Sequence, residues 1–109
     1  MKYFVYKPQI NRSCCYEFYK GKWDGRTFWK EDSIYIDDDV WADGFVDAVI
    51  EVVPTYDPFG ETEISIFEWE KIGEGIREKD IKSQVQYAEA DAWAKKAFEA
   101  CDCFTILGL

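Results

Sequence analysis

Short runs of aromatic and β-branched residues mark the first third of the chain. Three such runs predict strands, at Lys2–Tyr6, Cys14–Tyr19 and Arg26–Trp29, because these residue types pack well on a pleated surface. The segment Lys20–Gly25 contains two glycines and predicts a turn between the second and third runs. A further short strand is expected at Ser33–Ile36. Together these segments indicate an antiparallel sheet.

The pattern changes to helical spacing in the middle of the chain. Apolar residues recur every three or four positions, at Trp41, Phe45, Val49 and Val52. This period predicts a helix over Asp38–Val52, and the aspartates Asp37–Asp39 at its start would complement the helix dipole. Gly44 and the β-branched residues of Val49–Val53 favour a different structure, a strand over Val46–Val53. Both alternatives stay open on these grounds.

A loop, a short extended segment and a helix are expected next. The loop Pro54–Gly60 contains two prolines and a glycine, and it precedes an extended piece at Thr62–Ile64. Ser65 and Glu68 have the spacing of a capping box, which predicts that a helix begins there. Two glycines weaken this helix and would allow close packing against it.

The end of the chain has the most regular pattern. A second capping box is predicted at Ser83–Gln86, and a long helix over Gln84–Cys101. The continuous apolar run Cys103–Leu107 predicts a buried strand. We therefore predict a single α+β domain over residues 1–109, in which an antiparallel sheet is combined with two or three helices. The long C-terminal helix is followed by a terminal strand.

Charge is distributed very unevenly along the chain. The forty residues between Lys30 and Lys71 contain thirteen carboxylates and no Lys, Arg or His, whereas the net charge of the whole chain is −9. If residues 38–52 are helical, Asp39, Asp43, Asp47 and Glu51 form one carboxylate stripe at i,i+4 spacing. Such a stripe is either a template for a basic protein or the solvated polar face of an amphipathic helix. The absence of interleaved lysines favours the template.

The predicted contact surface combines this acidic segment with two aromatic residues. Tryptophan is a typical anchor residue in protein interfaces, and Trp41 lies within the acidic segment while Trp23 lies in a predicted turn. The predicted partner-binding residues are Asp37, Asp38, Asp39, Trp41, Asp43, Asp47, Glu51 and Trp23. The expected partner is a basic protein.

Composition disfavours several other classes of function. Direct binding of nucleic acid needs clustered Lys and Arg, which this acidic chain lacks over most of its length. Neither a secretory signal nor a membrane span is indicated, because the first apolar run ends before Lys7 and no later run is long enough. We expect a cytoplasmic protein without a membrane partner. The pattern does not indicate an oligomeric state.

No metal, cofactor or catalytic site is predicted. A calcium loop starting at Asp37 would have Trp41 and Ala42 at positions that require an oxygen ligand and a glycine. The four cysteines occur as C-C and C-x-C pairs without the usual zinc spacing, and a cytoplasmic location would keep them as thiols. With no histidine, the usual general base is missing. The chain is therefore not expected to be an enzyme.

Several segments resemble the small acidic immunity proteins of bacterial polymorphic toxin systems. These segments are the Pro54–Gly60 loop followed by Thr62–Ser65, then Glu68–Ile72, and the C-terminal part with Trp93, Phe98 and Cys103–Gly108. The resemblance implies a cytoplasmic α+β antitoxin that binds and blocks a cognate toxin, often a basic nuclease. It implies no defined set of toxin-contacting residues.

Two alternatives to an immunity protein stay open. A DNA-mimic inhibitor of the phage anti-restriction or anti-CRISPR type would also be small, acidic and without catalytic motifs. A small enzyme that uses two carboxylates as acid and base is the other alternative. An inhibitor should present solvated carboxylates on a convex or flat surface, whereas an enzyme should enclose a carboxylate in a pocket.

Overall fold

The computed structural model describes residues 1–7 and 15–108, so the predicted strand residue Cys14 lies outside it. It confirms the predicted α+β fold. The elements, in chain order, are β1 Phe4–Val5, β2 Cys15–Lys20, β3 Ile34–Asp37, α1 Asp38–Ala42, α2 Phe45–Val52, β4 Glu61–Ser65, α3 Ile66–Ile76, α4 Ile81–Ala100 and β5 Cys103–Leu107.

The five strands of the described residues form one antiparallel sheet in the order β1-β3-β2-β5-β4. The C-terminal strand β5 is inserted between β2 and β4, where Leu107 pairs with Glu17 on one side and Glu61 on the other. The predicted terminal strand is thus confirmed. Its burial follows from this position, because both of its edges are bonded to neighbouring strands.

The hydrophobic core lies between one face of the sheet and the helices. Phe18 of β2 and Phe104 of β5 stack at its centre with ring centroids 5.4 Å apart. Trp41, Trp69 and Trp93 bring indole rings from three helices onto these two rings. Each buried side chain of this size contributes about 1.5–3 kcal/mol. The high aromatic content therefore mainly serves the core.

The predicted helix over Asp38–Val52 is divided into two. The break falls at Asp43 and Gly44, where Gly44 has φ +111°, a backbone conformation that favours glycine. A Cβ atom at Gly44 would also lie 2.8 Å from the Ser83 hydroxyl oxygen. Val46–Val53 is not a strand, since α2 extends through Val52. The described chain therefore has four helices.

Two predicted strands are shortened or absent. Only Phe4–Val5 is a strand within Lys2–Tyr6. The N–H groups of Lys2, Tyr3 and Phe4 all donate to the carboxylate of Glu89 on α4. Arg26–Trp29 is not a strand. It belongs to the loop Gly21–Ser33, in which Trp29 has φ +61°, incompatible with an extended strand.

One predicted capping box is confirmed and the other is wrong. Ser65 and Glu68 form both hydrogen bonds of the box at the start of α3. The long helix begins earlier than the predicted box at Ser83–Gln86: Asp80 is its N-cap residue and accepts the Ser83 N–H at 2.9 Å. The close packing expected from the glycines of α3 is also found, since a Cβ atom at Gly73 would collide with the Tyr87 ring.

Candidate interaction surface

The first three predicted contact residues lie together at the start of α1. The Asp37 carboxylate is the N-cap and accepts the backbone N–H of Asp39 at 3.0 Å. Asp38 and Asp39 occupy the first turn, where negative charge is favoured by the helix dipole. Carboxylate oxygens of all three residues lie within 4.8 Å of one another. This crowding of like charge is partly offset by the cap and the dipole.

The other acidic residues do not form the predicted continuous stripe. Because α1 ends before Asp43 and α2 begins after Gly44, only Asp47 and Glu51 lie at i,i+4 spacing within one helix. Asp43 forms an ion pair with Lys82, and Glu51 forms one with Lys79 at 3.0 Å. Asp47 is exposed. We call the carboxylates of residues 37–39, 43, 47 and 51 the acidic helix surface.

Cations from a distant part of the chain therefore reach the cation-free segment. Lys79 precedes α4 and Lys82 lies in its first turn, and the pKa of each ammonium group is raised by its hydrogen bond to Glu51 or Asp43. The absence of interleaved lysines in the sequence therefore does not leave Asp43 and Glu51 without cationic partners in the folded protein. The segment Lys79–Lys82, at the start of α4, supplies these partners.

Trp41 is not exposed, and the prediction that it anchors a partner is wrong for this structure. Its side chain is 2% exposed, and its indole N–H donates to the Tyr56 hydroxyl at 2.9 Å. The ring contacts Phe18 edge-on with centroids 5.6 Å apart. The periodicity that predicted the helix explains this burial, because Trp41 belongs to its apolar side.

Trp23 does not contact the acidic helix surface in the described structure, since its contacts are with Thr27 and Phe28. It is part of the loop Gly21–Ser33, which bonds to the sheet through Thr105 and Glu17 and to α4 through Trp93. Its indole N–H donates to the carbonyl of Thr27 at 2.6 Å, and its ring contacts Phe28 at 5.0 Å. The structure therefore separates Trp23 from the other predicted contact residues. Trp23 is therefore not part of the acidic helix surface.

The sequence did not reveal the residue that organises this loop. Glu17 lies in the middle of β2 and is only 4% exposed. Its carboxylate accepts the backbone N–H groups of Trp29 at 2.7 Å and Lys30 at 3.1 Å, and the Ser33 hydroxyl at 2.7 Å. The only available signal was a charged residue at the centre of an apolar strand. Burial and the nearby Glu17 charge also raise the pKa of Tyr35.

The loop presents aromatic rings in a fixed arrangement. Trp29 is 41% exposed and stacks on the Tyr35 ring with centroids 5.4 Å apart, while Phe28 is half exposed. Asp24 accepts the N–H groups of Arg26 and Thr27 and the Thr27 hydroxyl. These hydrogen bonds, first those from Thr27, lower the pKa of Asp24 to about 2. The turn is therefore held by a carboxylate that stays ionised.

None of the described cysteines belongs to a group of side chains close enough together to hold a metal ion. Cys101 and Cys103 are free thiols, and both are partly buried, as is Cys15. Burial raises the pKa of the Cys103 thiol, which favours the protonated form. Cys14 lies outside the described residues. The thiols thus have the properties of packed side chains.

In comparisons with known proteins, no family model matches the chain, and no curated protein or solved structure is significantly similar to it. None of the described helices combines the length and the apolar character that a membrane span requires. The twenty-residue α4 reaches the length, but charged residues interrupt it throughout.

Proposed function

We propose that this protein is a protein-binding inhibitor of the immunity type, which neutralises a basic toxin through the acidic helix surface. One observation carries this proposal. Trp41, Phe45 and Val49 fix α1 and α2 in the core, so the acidic sides of both short helices are held at the surface. A preorganised set of like charges costs little further ordering when a partner of opposite charge binds.

The charges of this surface differ in how accessible they are to a partner. Asp43 and Glu51 already have lysine partners within the chain. Asp38 and Asp47 take part in no ion pair among the described residues, and Asp47 is exposed. These two carboxylates are therefore the best candidates for contact with a basic partner. Electrostatic steering by such charges accelerates association and makes it sensitive to salt.

The partner can be identified by affinity capture from the native host followed by mass spectrometry. If the proposal is correct, the captured protein is toxic when expressed alone and harmless when co-expressed with this chain. A partner that is not toxic would contradict the immunity role. Competition by double-stranded DNA for the same captured protein would instead support the DNA-mimic alternative.

A charge-matched pair of variants tests the surface itself. Asp38→Asn/Asp47→Asn should slow association with the captured partner, more strongly at low salt than at high salt. The control Glu70→Gln/Glu99→Gln makes the same change in net charge on residues that line a depression between α3 and α4. Equal association rates for both variants would show that net charge alone matters and that the acidic helix surface is only a solvated face.

A further inference from the structure

The strand β4 is the outermost strand on its side of the sheet, so within residues 1–7 and 15–108 one of its edges is unpaired. The N–H of Gly108 donates to the carbonyl of Gly60 at 2.7 Å. Antiparallel pairs alternate between bonded and non-bonded positions, so the second and fourth residues of β4 bond to β5. The backbone N–H and C=O groups of Glu61 and Glu63 consequently point away from the sheet.

No group in the described part of the chain forms a hydrogen bond with these backbone groups of Glu61 and Glu63. At the end of the strand, by contrast, the Ser65 N–H donates to the Glu68 side chain at 2.9 Å. An unpaired edge is a template for another strand, and proteins often protect such edges with charged side chains. The side chains of Glu61 and Glu63 are both exposed. Charged side chains on an edge protect it from an added strand of like charge, but they can recognise an added strand of opposite charge.

The surface beside this edge is acidic. A depression of about 420 Å³ next to β4 is lined by Val53, Thr55, Glu61, Thr62, Glu63 and Glu68. None of these residues is cationic. Phe59, two residues before the strand, is 81% exposed. The edge therefore offers backbone hydrogen-bonding groups, negative charge and an apolar contact within a few residues.

Charge decides which strand this edge can accept. Pairing of β4 with the same strand of a second copy would place glutamates against glutamates, and like charges directly opposite each other destabilise a sheet. A strand with Lys or Arg at alternate positions would instead form opposite-charge pairs with Glu61 and Glu63. The edge thus disfavours self-association and favours a basic strand.

We propose that β4 receives an extended basic segment of the partner protein as an added outer strand. This rests on the proposed function, since the segment would belong to the same basic protein that the acidic helix surface attracts. The backbone groups of Glu61 and Glu63 supply the hydrogen bonds of the new pair. Their carboxylates select Lys or Arg at alternate positions, and Phe59 contacts an apolar residue at the end of the segment.

A synthetic peptide in which Lys and Val alternate serves as the first probe. Its binding should slow amide hydrogen exchange at Glu61 and Glu63, whose N–H groups have no acceptor in the described part of the free protein. The amides of Thr62 and Ile64 already bond to β5 and should change little. A control peptide in which prolines replace the valines cannot form a strand and should give no protection. Unchanged exchange at Glu61 and Glu63 with the first peptide would overturn the inference.

Two substitutions of Glu63 test the contributions of its carboxylate and of its backbone N–H separately. Glu63→Ala removes the carboxylate and keeps the N–H, whereas Glu63→Pro removes both, and neither removes a backbone group that bonds to β5. We expect the affinity for the basic peptide to fall about tenfold with alanine and about a further tenfold with proline. Equal affinities of the two variants would exclude strand addition. Their thermal unfolding checks that both are folded.

The same variants distinguish this inference from the proposed function. If the captured toxin binds both Glu63 variants like the unmodified protein and responds only to Asp38→Asn/Asp47→Asn, strand addition is wrong and the inhibitor function stands. If the peptide protects Glu61 and Glu63 but the captured partner is not a toxin, strand addition stands and the immunity function is wrong.

Discussion

The acidic helix surface and the loop Gly21–Ser33 use carboxylates in opposite ways. On the two helices, several carboxylates lie at the surface, and those of Asp43 and Glu51 form ion pairs with lysines of the described chain. In the loop region, the single buried carboxylate of Glu17 accepts hydrogen bonds from three residues of the loop. Exposed ion pairs contribute about 0–1 kcal/mol each, whereas an unsatisfied buried donor costs about 1–3 kcal/mol. The number of charges in a segment therefore says little about its importance for stability.

The largest expected effect is at Glu17. Glu17→Ala leaves the N–H groups of Trp29 and Lys30 and the Ser33 hydroxyl without their acceptor. We expect the free energy of unfolding to fall by about 3 kcal/mol or more, measured by urea denaturation. Glu17→Gln keeps one acceptor oxygen and should lose less. If Glu17→Ala unfolds at the same urea concentration as the unmodified protein, the buried carboxylate does not hold the loop.

The backbone of Trp29 provides a second test of the loop. Its φ of +61° lies in the left-handed region, where a side chain costs about 1–2 kcal/mol relative to glycine. Trp29→Gly and Trp29→Ala both remove the stacked ring. We expect the glycine variant to be more stable than the alanine variant by about 1 kcal/mol, the reverse of the usual order. Thermal or urea unfolding of the pair measures the difference, and the usual order would contradict the left-handed conformation.

These two positions show where prediction from the sequence failed. Glu17 is twelve residues from Trp29 in the chain, and no local pattern connects a strand carboxylate to a later loop. The strand over Arg26–Trp29 was predicted from its aromatic residues. Composition does not show that the backbone of Trp29 has a positive φ in the left-handed region. The sequence predicted that Trp23 lies between strands, but it predicted neither the hydrogen bonds that organise the loop nor the separation of Trp23 from the acidic residues.

The elements with strong local patterns were predicted well. The apolar stripe of α4 predicted a long helix, and the continuous apolar run of β5 predicted a buried strand. Both predictions were confirmed. The division of the central helix at Gly44 depends on the close approach of Ser83, a contact between distant parts of the chain. In the acidic segment, the spacing of the carboxylates was visible, whereas the lysine partners from the start of α4 were not.

The acidic helix surface should be far less sensitive than Glu17. We expect Asp38→Asn/Asp47→Asn to change the free energy of unfolding by less than about 1 kcal/mol, since relief of repulsion and loss of helix-dipole attraction oppose each other. The comparison variant Asp43→Asn/Glu51→Gln removes the partners of Lys82 and Lys79 and should also have a small effect. Urea denaturation at low and high salt measures both. A loss as large as that of Glu17→Ala would remove the contrast between the two regions.

The smallest expected effect is a change in pH dependence at Asp24. Its hydrogen bonds from Thr27 and Arg26 lower its pKa from 3.8 to about 2 in the folded protein. Because the folded pKa is below the unfolded one, Asp24 stabilises the fold above about pH 4, and this contribution is lost as the pH falls through about 2. Asp24→Asn has no carboxyl group to protonate, so its free energy of unfolding should fall less steeply over this interval. NMR titration of the Asp24 carboxyl group gives the pKa directly. An ordinary value, together with an unchanged acid dependence in Asp24→Asn, would show that the turn does not depend on an ionised Asp24, and only Glu17 would then remain as a carboxylate that organises the loop.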